Sequence, residues 1–263
     1  MGTRWGQNFL ISRKYARRIA EQIGEERHVL EIGPGRGALT RELLECGATV
    51  NAVEIDPELS ARLRDELGCD RLTIFNEDVL HFDFDALGRD PIFVIGNIPY
   101  QITAPLIHRL LVNWHRWSGI VLLVQAEVAE RICAGAGSRD YSSLAVMVAA
   151  FATAERLFDV HRSHFRPRPQ VDSALVGFRM RAAPLLSEPA EFGVFLKQLF
   201  SQRRKRLSNS LRHLLGRDSL DSYAWIGLDK RVEAIDPFAL ARLFKEVRLA
   251  EGAPGTAGRQ HST

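Results

Sequence analysis

The sequence is poor in cysteine: the three present, Cys46, Cys69 and Cys133, are far apart and form no Cys-x-x-Cys pair. That excludes a disulfide framework and a zinc site, and leaves small buried apolar residues in a reducing compartment as the expectation. No apolar run approaches the roughly 20 residues that a membrane span needs. Met1 to Leu10 is polar, with no signal-peptide core, so a cytoplasmic protein is expected. A strong net charge is also missing, since 35 Lys and Arg face 32 Asp and Glu for a net of +3. The balance conceals segregation. Arg41 to Asp90 holds thirteen acids and five bases, whereas Lys197 to Arg217 holds seven bases and no acid. Such a basic stretch in a nearly neutral chain points to a polyanion partner, with a solvated helix face as the plainer alternative.

What is present is a chain of 263 residues, 46% hydrophobic, enough for one large domain and a smaller appendage around an unstapled core. Residues 12–24 read as an amphipathic helix with Ser12 as N-cap and Gly24 as stop. Strands and helices then alternate. Strands are expected at His28–Ile32, Thr49–Glu54, Arg71–Asn76, Pro91–Gly96 and Gly119–Val124, and helices at Ala38–Cys46, Pro57–Leu67 and Thr103–Trp114. Near-continuous apolar strands between helices imply an α/β fold with a parallel sheet covered on both faces. Tyr141–Ala154 reads as a buried helix, and Arg156–His161 with Ala174–Arg181 as an antiparallel pair at a sheet edge. Phe165-Arg166-Pro167-Arg168-Pro169 suits no regular element. After a linker around Pro184 and Pro189, the segments Phe192–Leu215, Leu220–Ile226 and Pro237–Val247 have helical period. Three regions follow: 1–183, 184–250 as a small all-helical domain, and a Gly-, Ala-, Ser- and Thr-rich tail over 251–263 expected to be disordered.

Leu30-Glu31-Ile32-Gly33-Pro34-Gly35-Arg36-Gly37-Ala38 leaves a strand and enters a helix. Glycines there let backbone approach a ligand, and the helix start offers free N–H groups. Glu54 ends the next strand, where an acid can take ribose hydroxyls. Asp78 follows the third strand and can read an adenine amine, or serve as a helix N-cap. The loop alone fits a nicotinamide dinucleotide as well as S-adenosylmethionine.

Asn97-Ile98-Pro99-Tyr100 narrows the choice. It follows the fourth strand, where open parallel sheets bind ligands. An adenine amine is a poor nucleophile because its lone pair is delocalised into the ring. Acceptors for its two hydrogens, the Asn97 side-chain oxygen and a backbone carbonyl near Ile98 or Pro99, would free that lone pair. Pro99 contributes no N–H, which leaves local carbonyls to aim outward. Tyr100 can stack on a flipped base. A nicotinamide enzyme has no use for this tetrapeptide; the competing structural explanation is an ordinary strand-to-helix turn.

Together these runs resemble the ribosomal RNA adenine dimethyltransferase family. The resemblance also includes Gly6-Gln7-Asn8-Phe9-Leu10, Val53-Glu54-Ile55-Asp56, Glu77-Asp78-Val79, Gln125 to Arg131, Tyr141-Ser142-Ser143-Leu144, Phe165 to Ala174, and Phe200-Ser201-Gln202-Arg203-Arg204-Lys205. It covers about residues 4–247 in order. It implies a Rossmann-like S-adenosylmethionine-dependent methyltransferase sheet with a small helical C-terminal domain, and S-adenosylhomocysteine as the spent cofactor. Asn8, Leu10, Gly33, Pro34, Gly35, Glu54, Ile55, Asp78, Val79 and Asn97 would surround the cofactor. Phe165 would be a second aromatic, sandwiching the base with Tyr100; its Pro-rich loop favours exposure at the cleft, with a place in the core as the plainer alternative. Arg166, Arg168, Arg203, Arg204, Lys205, Arg206 and Arg212 would meet RNA, along a basic helix over Arg203–Arg212 and with help from Arg4, Arg13, Lys14, Arg17 and Arg18. The runs from Phe165 and from Ser201 look like the small-subunit branch of the family, which acts on immature small ribosomal subunits. Ile98 is common in the large-subunit branch. No metal is required, and with no heptad or large apolar stripe a monomer is expected.

Overall fold

The computed structural model describes residues 6–88, 91–216 and 220–252. Most of the tail expected to be disordered, and Arg4, lie outside these residues. The chain forms β1 (Phe9–Leu10), α1 (Arg13–Ala20), β2 (His28–Ile32), α2 (Ala38–Glu45), β3 (Thr49–Val53), α3 (Pro57–Leu67) and β4 (Leu72–Phe75). It continues with β5 (Ile92–Asn97), α4 (Thr103–Val112), β6 (Trp117–Gln125), α5 (Ala126–Ile132), α6 (Ser143–Phe151) and β7 (Ala152–Val160). The last elements are β8 (Phe165–Arg166), β9 (Ser173–Met180), α7 (Pro189–Ser201), α8 (Leu207–Leu215) and α9 (Pro237–Gly252).

Seven strands make one sheet in the order β4-β3-β2-β5-β6-β9-β7. The first five run parallel, and β9 joins β6 and β7 antiparallel. The order reverses between β2 and β5, where the crevice outside the strand C-termini is the natural ligand site of such sheets. Local chemistry explains the framing. Asp56 accepts from the N–H groups of Glu58 and Leu59, with Pro57 in the first turn, and so starts α3. Gly96 lets β2 and β5 close up, because a Cβ there would come 2.6 Å from the Ile32 carbonyl.

Several boundaries differ from the sequence reading. The expected long helix Phe192–Leu215 is two helices, interrupted by a turn over residues 202–206. The Arg203–Arg212 helix therefore does not exist as such: four of its bases sit in the turn. Tyr141 precedes α6, and Ala152–Ala154 belong to β7. Phe165 and Arg166 do join a regular element, pairing antiparallel with β1 before Pro167 ends the run. Cys69 and Cys133 are exposed instead of buried. Among the described residues no helix is long and apolar enough to cross a membrane.

The C-terminal helices share a core with the sheet. One apolar cluster runs from Leu30, Val94 and Leu122 through Leu106, Tyr141 and Met147 to Phe192, Phe195 and Phe244. Tyr141 ties the two parts with a buried hydrogen bond of 2.8 Å from its hydroxyl to the Ile235 carbonyl. Gly137 N–H adds one to the Glu233 carbonyl at 2.8 Å. Tyr141→Phe leaves a buried carbonyl unpaired, so urea denaturation should show a loss of about 1–3 kcal/mol; unchanged stability would remove this bond from the interface.

Candidate cofactor and base-binding site

At the crevice, the glycine loop, the N-terminal strap and the Asn97 segment converge. Gly33 (φ 66°), Gly35 (φ 56°) and Gly37 (φ 74°) take left-handed conformations that turn the chain from β2 into α2. At Gly35 the space is also closed, since a Cβ would lie 2.9 Å from the Phe9 ring. Phe9 thus lies on the loop, with the Arg36 guanidinium 4.6 Å from its centroid. A cavity of about 220 Å³ runs past Gly33, Glu54, Ile55, Asp78, Val79 and Pro99. Two tighter spaces of about 30 Å³ each adjoin it under the strap, one against Gly33, Gly35, Asn97 and Tyr100, the other reaching Leu10, Glu31 and Pro34.

Glu54 is the hub of the wall. One oxygen accepts from the Gly35 N–H at 2.9 Å, the other from the Asp56 N–H at 3.0 Å and from the Gln7 amide at 3.3 Å. Burial pushes its pKa up, while those backbone donors pull it back down. Asp78 does not cap a helix. Its carboxylate holds a turn by accepting from Leu80 N–H at 2.9 Å and lies 3.2 Å from the His81 ring.

Asn97 has one carboxamide end fixed. Its Nδ2 donates to the Asn8 carbonyl at 2.8 Å. A carbonyl can only accept, so the amide nitrogen must face it and Oδ1 must face away, available as an acceptor. Ile98 is buried and its N–H is held by the Leu123 carbonyl at 3.1 Å. The Pro99 carbonyl, expected to aim outward, is engaged instead by the Ile102 N–H at 3.1 Å and the Thr103 hydroxyl at 3.3 Å. Pro99 thus starts the turn into α4, and the Ile98 carbonyl is the remaining backbone candidate. Tyr100 is half-buried, with its hydroxyl 3.3 Å from Ser173 Oγ. Burial raises the phenol pKa above its ordinary value.

Phe165 departs from expectation. It is 1% exposed, and β8 seats it opposite Leu10 in a cluster with Ile19, Val160 and Leu175. In this position it offers no face to a base, because strand pairing turns its side chain into the core. The basic residues also divide. Arg203 is committed to Glu233 at 3.1 Å and to the Arg139 carbonyl at 3.2 Å. Arg204, Lys205, Arg206 and Arg212 are exposed around the α7–α8 turn, and Arg166 and Arg168 are exposed after β8. Arg13 is paired with Glu42 and Glu45 and so ties α1 to α2, whereas Arg17 pairs with Glu21 at the end of its own helix.

Gln7 and Glu31 were not singled out by sequence reasoning. Each lay inside a recognisable run, but no spacing rule announces a contact across 47 residues such as Gln7 with Glu54. Glu31 is fully buried beneath the strap with Oε2 unpartnered, and burial raises its pKa from 4.5 to about 8.

These residues fit a sulfonium nucleoside: an acid for hydroxyls, an acid and apolar walls for the adenine end, and an oriented carboxamide at the reactive end. The fold and this wall together define a Rossmann-like S-adenosylmethionine-dependent methyltransferase. Comparison with known proteins agrees. The chain matches the ribosomal RNA adenine dimethylase family over residues 1–248. It is 39% identical over 246 residues to the ribosomal RNA small subunit methyltransferase A of Chlorobium limicola, covering 92% of each chain. With that of Thermosynechococcus vestitus it shares 38% over 259 residues, covering 93% of this chain and 97% of the relative. Among solved structures, a dimethyladenosine transferase from Plasmodium falciparum superposes with a TM-score of 0.74 at 26% identity, covering 91% of this chain and 98% of the other. The 23S rRNA methyltransferase ErmE gives 0.69 at 30% identity, covering 92% and 100%. The chain belongs to the ribosomal RNA adenine dimethylase family.

Glu31 gives a pH test of the buried wall. Below about pH 4.5 its carboxyl is protonated in both the folded and the unfolded chain. Between that and about pH 8 the unfolded chain releases the proton and the folded one keeps it, so stability falls as pH rises. Glu31→Gln does not titrate. Denaturant melts should therefore show the variant gaining on the parent across this window; a constant difference would contradict the burial of a protonated Glu31.

Proposed function

We propose that this chain methylates the exocyclic amines of two adjacent adenines near the 3′ end of small-subunit (16S) ribosomal RNA, on immature small subunits. The proposal includes a cytoplasmic monomer. The observation that carries the chemistry is the tethered Asn97 carboxamide, with its nitrogen on the Asn8 carbonyl and its oxygen outward.

Asn8, Leu10, Gly33, Pro34, Gly35, Glu54, Ile55, Asp78 and Val79 would hold the cofactor along the crevice, Glu54 at the ribose and Asp78 at the adenine. Bound there, S-adenosylmethionine supplies an electrophilic methyl group on a sulfonium. Asn97 Oδ1 accepts one amine hydrogen and the Ile98 carbonyl the other, so the nitrogen rehybridises and turns its lone pair outward. Tyr100 stacks on the extruded base. Catalysis consists of positioning and hydrogen-bond polarisation. The cationic product is acidic enough to lose its proton to water, so no strong base is needed. After one methylation a single hydrogen remains to be held, and the pocket must admit a methyl group in place of the other hydrogen bond.

Arg166, Arg168, Arg204, Lys205, Arg206 and Arg212 would meet RNA phosphates, a salt-sensitive and sequence-independent attraction. Target choice then follows the shape of an assembling particle. The small-subunit reading leans on the names of the relatives above. The likeness to ErmE sustains a second reading, with large-subunit RNA as substrate.

The purified chain should label adenines in immature small subunits and leave naked large-subunit RNA unlabelled. Asn97→Ala should lower kcat about 10²–10³-fold on the same substrate. Labelling of large-subunit RNA alone would favour the second reading. An Asn97→Ala variant that supports small-subunit assembly fully would make the chain primarily an assembly factor.

A further inference from the structure

We propose that Arg36 is a cofactor-binding residue: stacked on Phe9 at the far end of the crevice, its guanidinium takes the carboxylate of the cofactor's amino-acid arm. The inference rests on the methyltransferase reading above.

The order of the walls places that arm. With the adenine at Asp78, the ribose at Glu54 and the reacting methyl at Asn97, the arm leaves the sulfur on the side away from the ribose. There the two tight spaces under the strap share Phe9, Gly33, Gly35 and Asn97, and one of them continues past Glu31 and Pro34 to Arg36. The arm carries an ammonium and a carboxylate, and the carboxylate needs donors. Four acids, Glu31, Glu54, Glu77 and Asp78, line the crevice, and Arg36 is the one cation that does so among the described residues. The Gln7 and Asn97 amides are already engaged, by Glu54 and by the Asn8 carbonyl. Glu31, which shares the space with Arg36, is kept protonated by burial up to about pH 8 and so does not repel an anion.

The loop holds the side chain ready. A turn closed by the Gly37 N–H on the Pro34 carbonyl at 2.9 Å sets Arg36 between two left-handed glycines, Gly35 and Gly37. The Arg41 guanidinium donates to the Arg36 carbonyl at 2.9 Å and fixes the backbone further. The Arg36 guanidinium itself lies 4.6 Å from the centre of the Phe9 ring, which is packed over Gly35. It pairs with no carboxylate among the described residues. A stacked guanidinium keeps its N–H groups at its edge, where a carboxylate can take two of them at once. The stack also settles a long, exposed side chain before the ligand arrives, which lowers the ordering cost of binding.

The test removes the carboxylate from the ligand and the cation from the protein. Affinities are measured by calorimetry without RNA for the parent, Arg36→Met and Arg36→Lys. The ligands are S-adenosylmethionine and its decarboxylated form, which keeps the adenosine, the sulfonium and the amine. The parent is expected to bind S-adenosylmethionine about tenfold or more tightly than the decarboxylated form. Arg36→Met loses about tenfold in affinity for S-adenosylmethionine and nothing for the decarboxylated form, so the preference disappears. Arg36→Lys keeps part of the preference, because its charge remains without the two-pronged contact. A parent that binds both forms alike overturns the proposal, and that arm needs no variant. So does an Arg36→Met that weakens both forms equally, the result for a residue that only holds Phe9 and the strap, or one that weakens neither. A parent that methylates small-subunit RNA but shows no such preference leaves the proposed function standing without this role for Arg36; a parent that binds neither nucleoside removes both.

Discussion

The hydrogen bond from Asn97 Nδ2 to the Asn8 carbonyl joins residues 89 apart in sequence, at 2.8 Å. Without it a terminal carboxamide can rotate and present either end to a ligand. With it, only the oxygen is presented. Methylation of an aromatic amine depends on that difference, because a second donor aimed at the amine would repel the hydrogens that must be held. The fold brings the two residues together from opposite directions. β5 delivers Asn97 to the C-terminal end of the sheet, and the β1–β8 ribbon carries Asn8 across the top of the crevice.

The same economy holds the rest of the wall. Glu54 ties the glycine loop, the turn into α3 and the strap with one carboxylate, and leaves lone pairs for hydroxyls. At Glu54 the backbone N–H groups of Asp56 and Gly35 work against the upward pull of burial, whereas at the fully buried Glu31 burial dominates. Beyond the sheet, the C-terminal helices extend one core, so the basic α7–α8 turn is carried on packing continuous with the site and held to it by Tyr141.

Much of this was legible in the sequence for physical reasons. Continuous apolar strands separated by capped helices can fold in few ways, and Pro57–Leu67 and His28–Ile32 were bounded correctly by proline, glycine and charge. Gly33, Glu54, Asp78 and Asn97 were legible because each follows a parallel strand, and topology brings those ends together. What was not legible depends on tertiary pairing. Phe165 next to Pro167 reads as exposed loop, and only the β1 partner 155 residues earlier buries it. Arg203 reads as a phosphate ligand, and no spacing in the sequence foretells its ion pair with Glu233. Pro99 supplies no donor of its own, but its carbonyl is taken by the start of the helix that follows.

The most direct test of the central claim is a structure of the chain with S-adenosylhomocysteine and an adenosine-containing RNA fragment. The expected result is Asn97 Nδ2 still on the Asn8 carbonyl and Oδ1 within hydrogen-bonding distance of the adenine amine. An Asn97 carboxamide released from Asn8, or turned with its nitrogen toward the base, would contradict it.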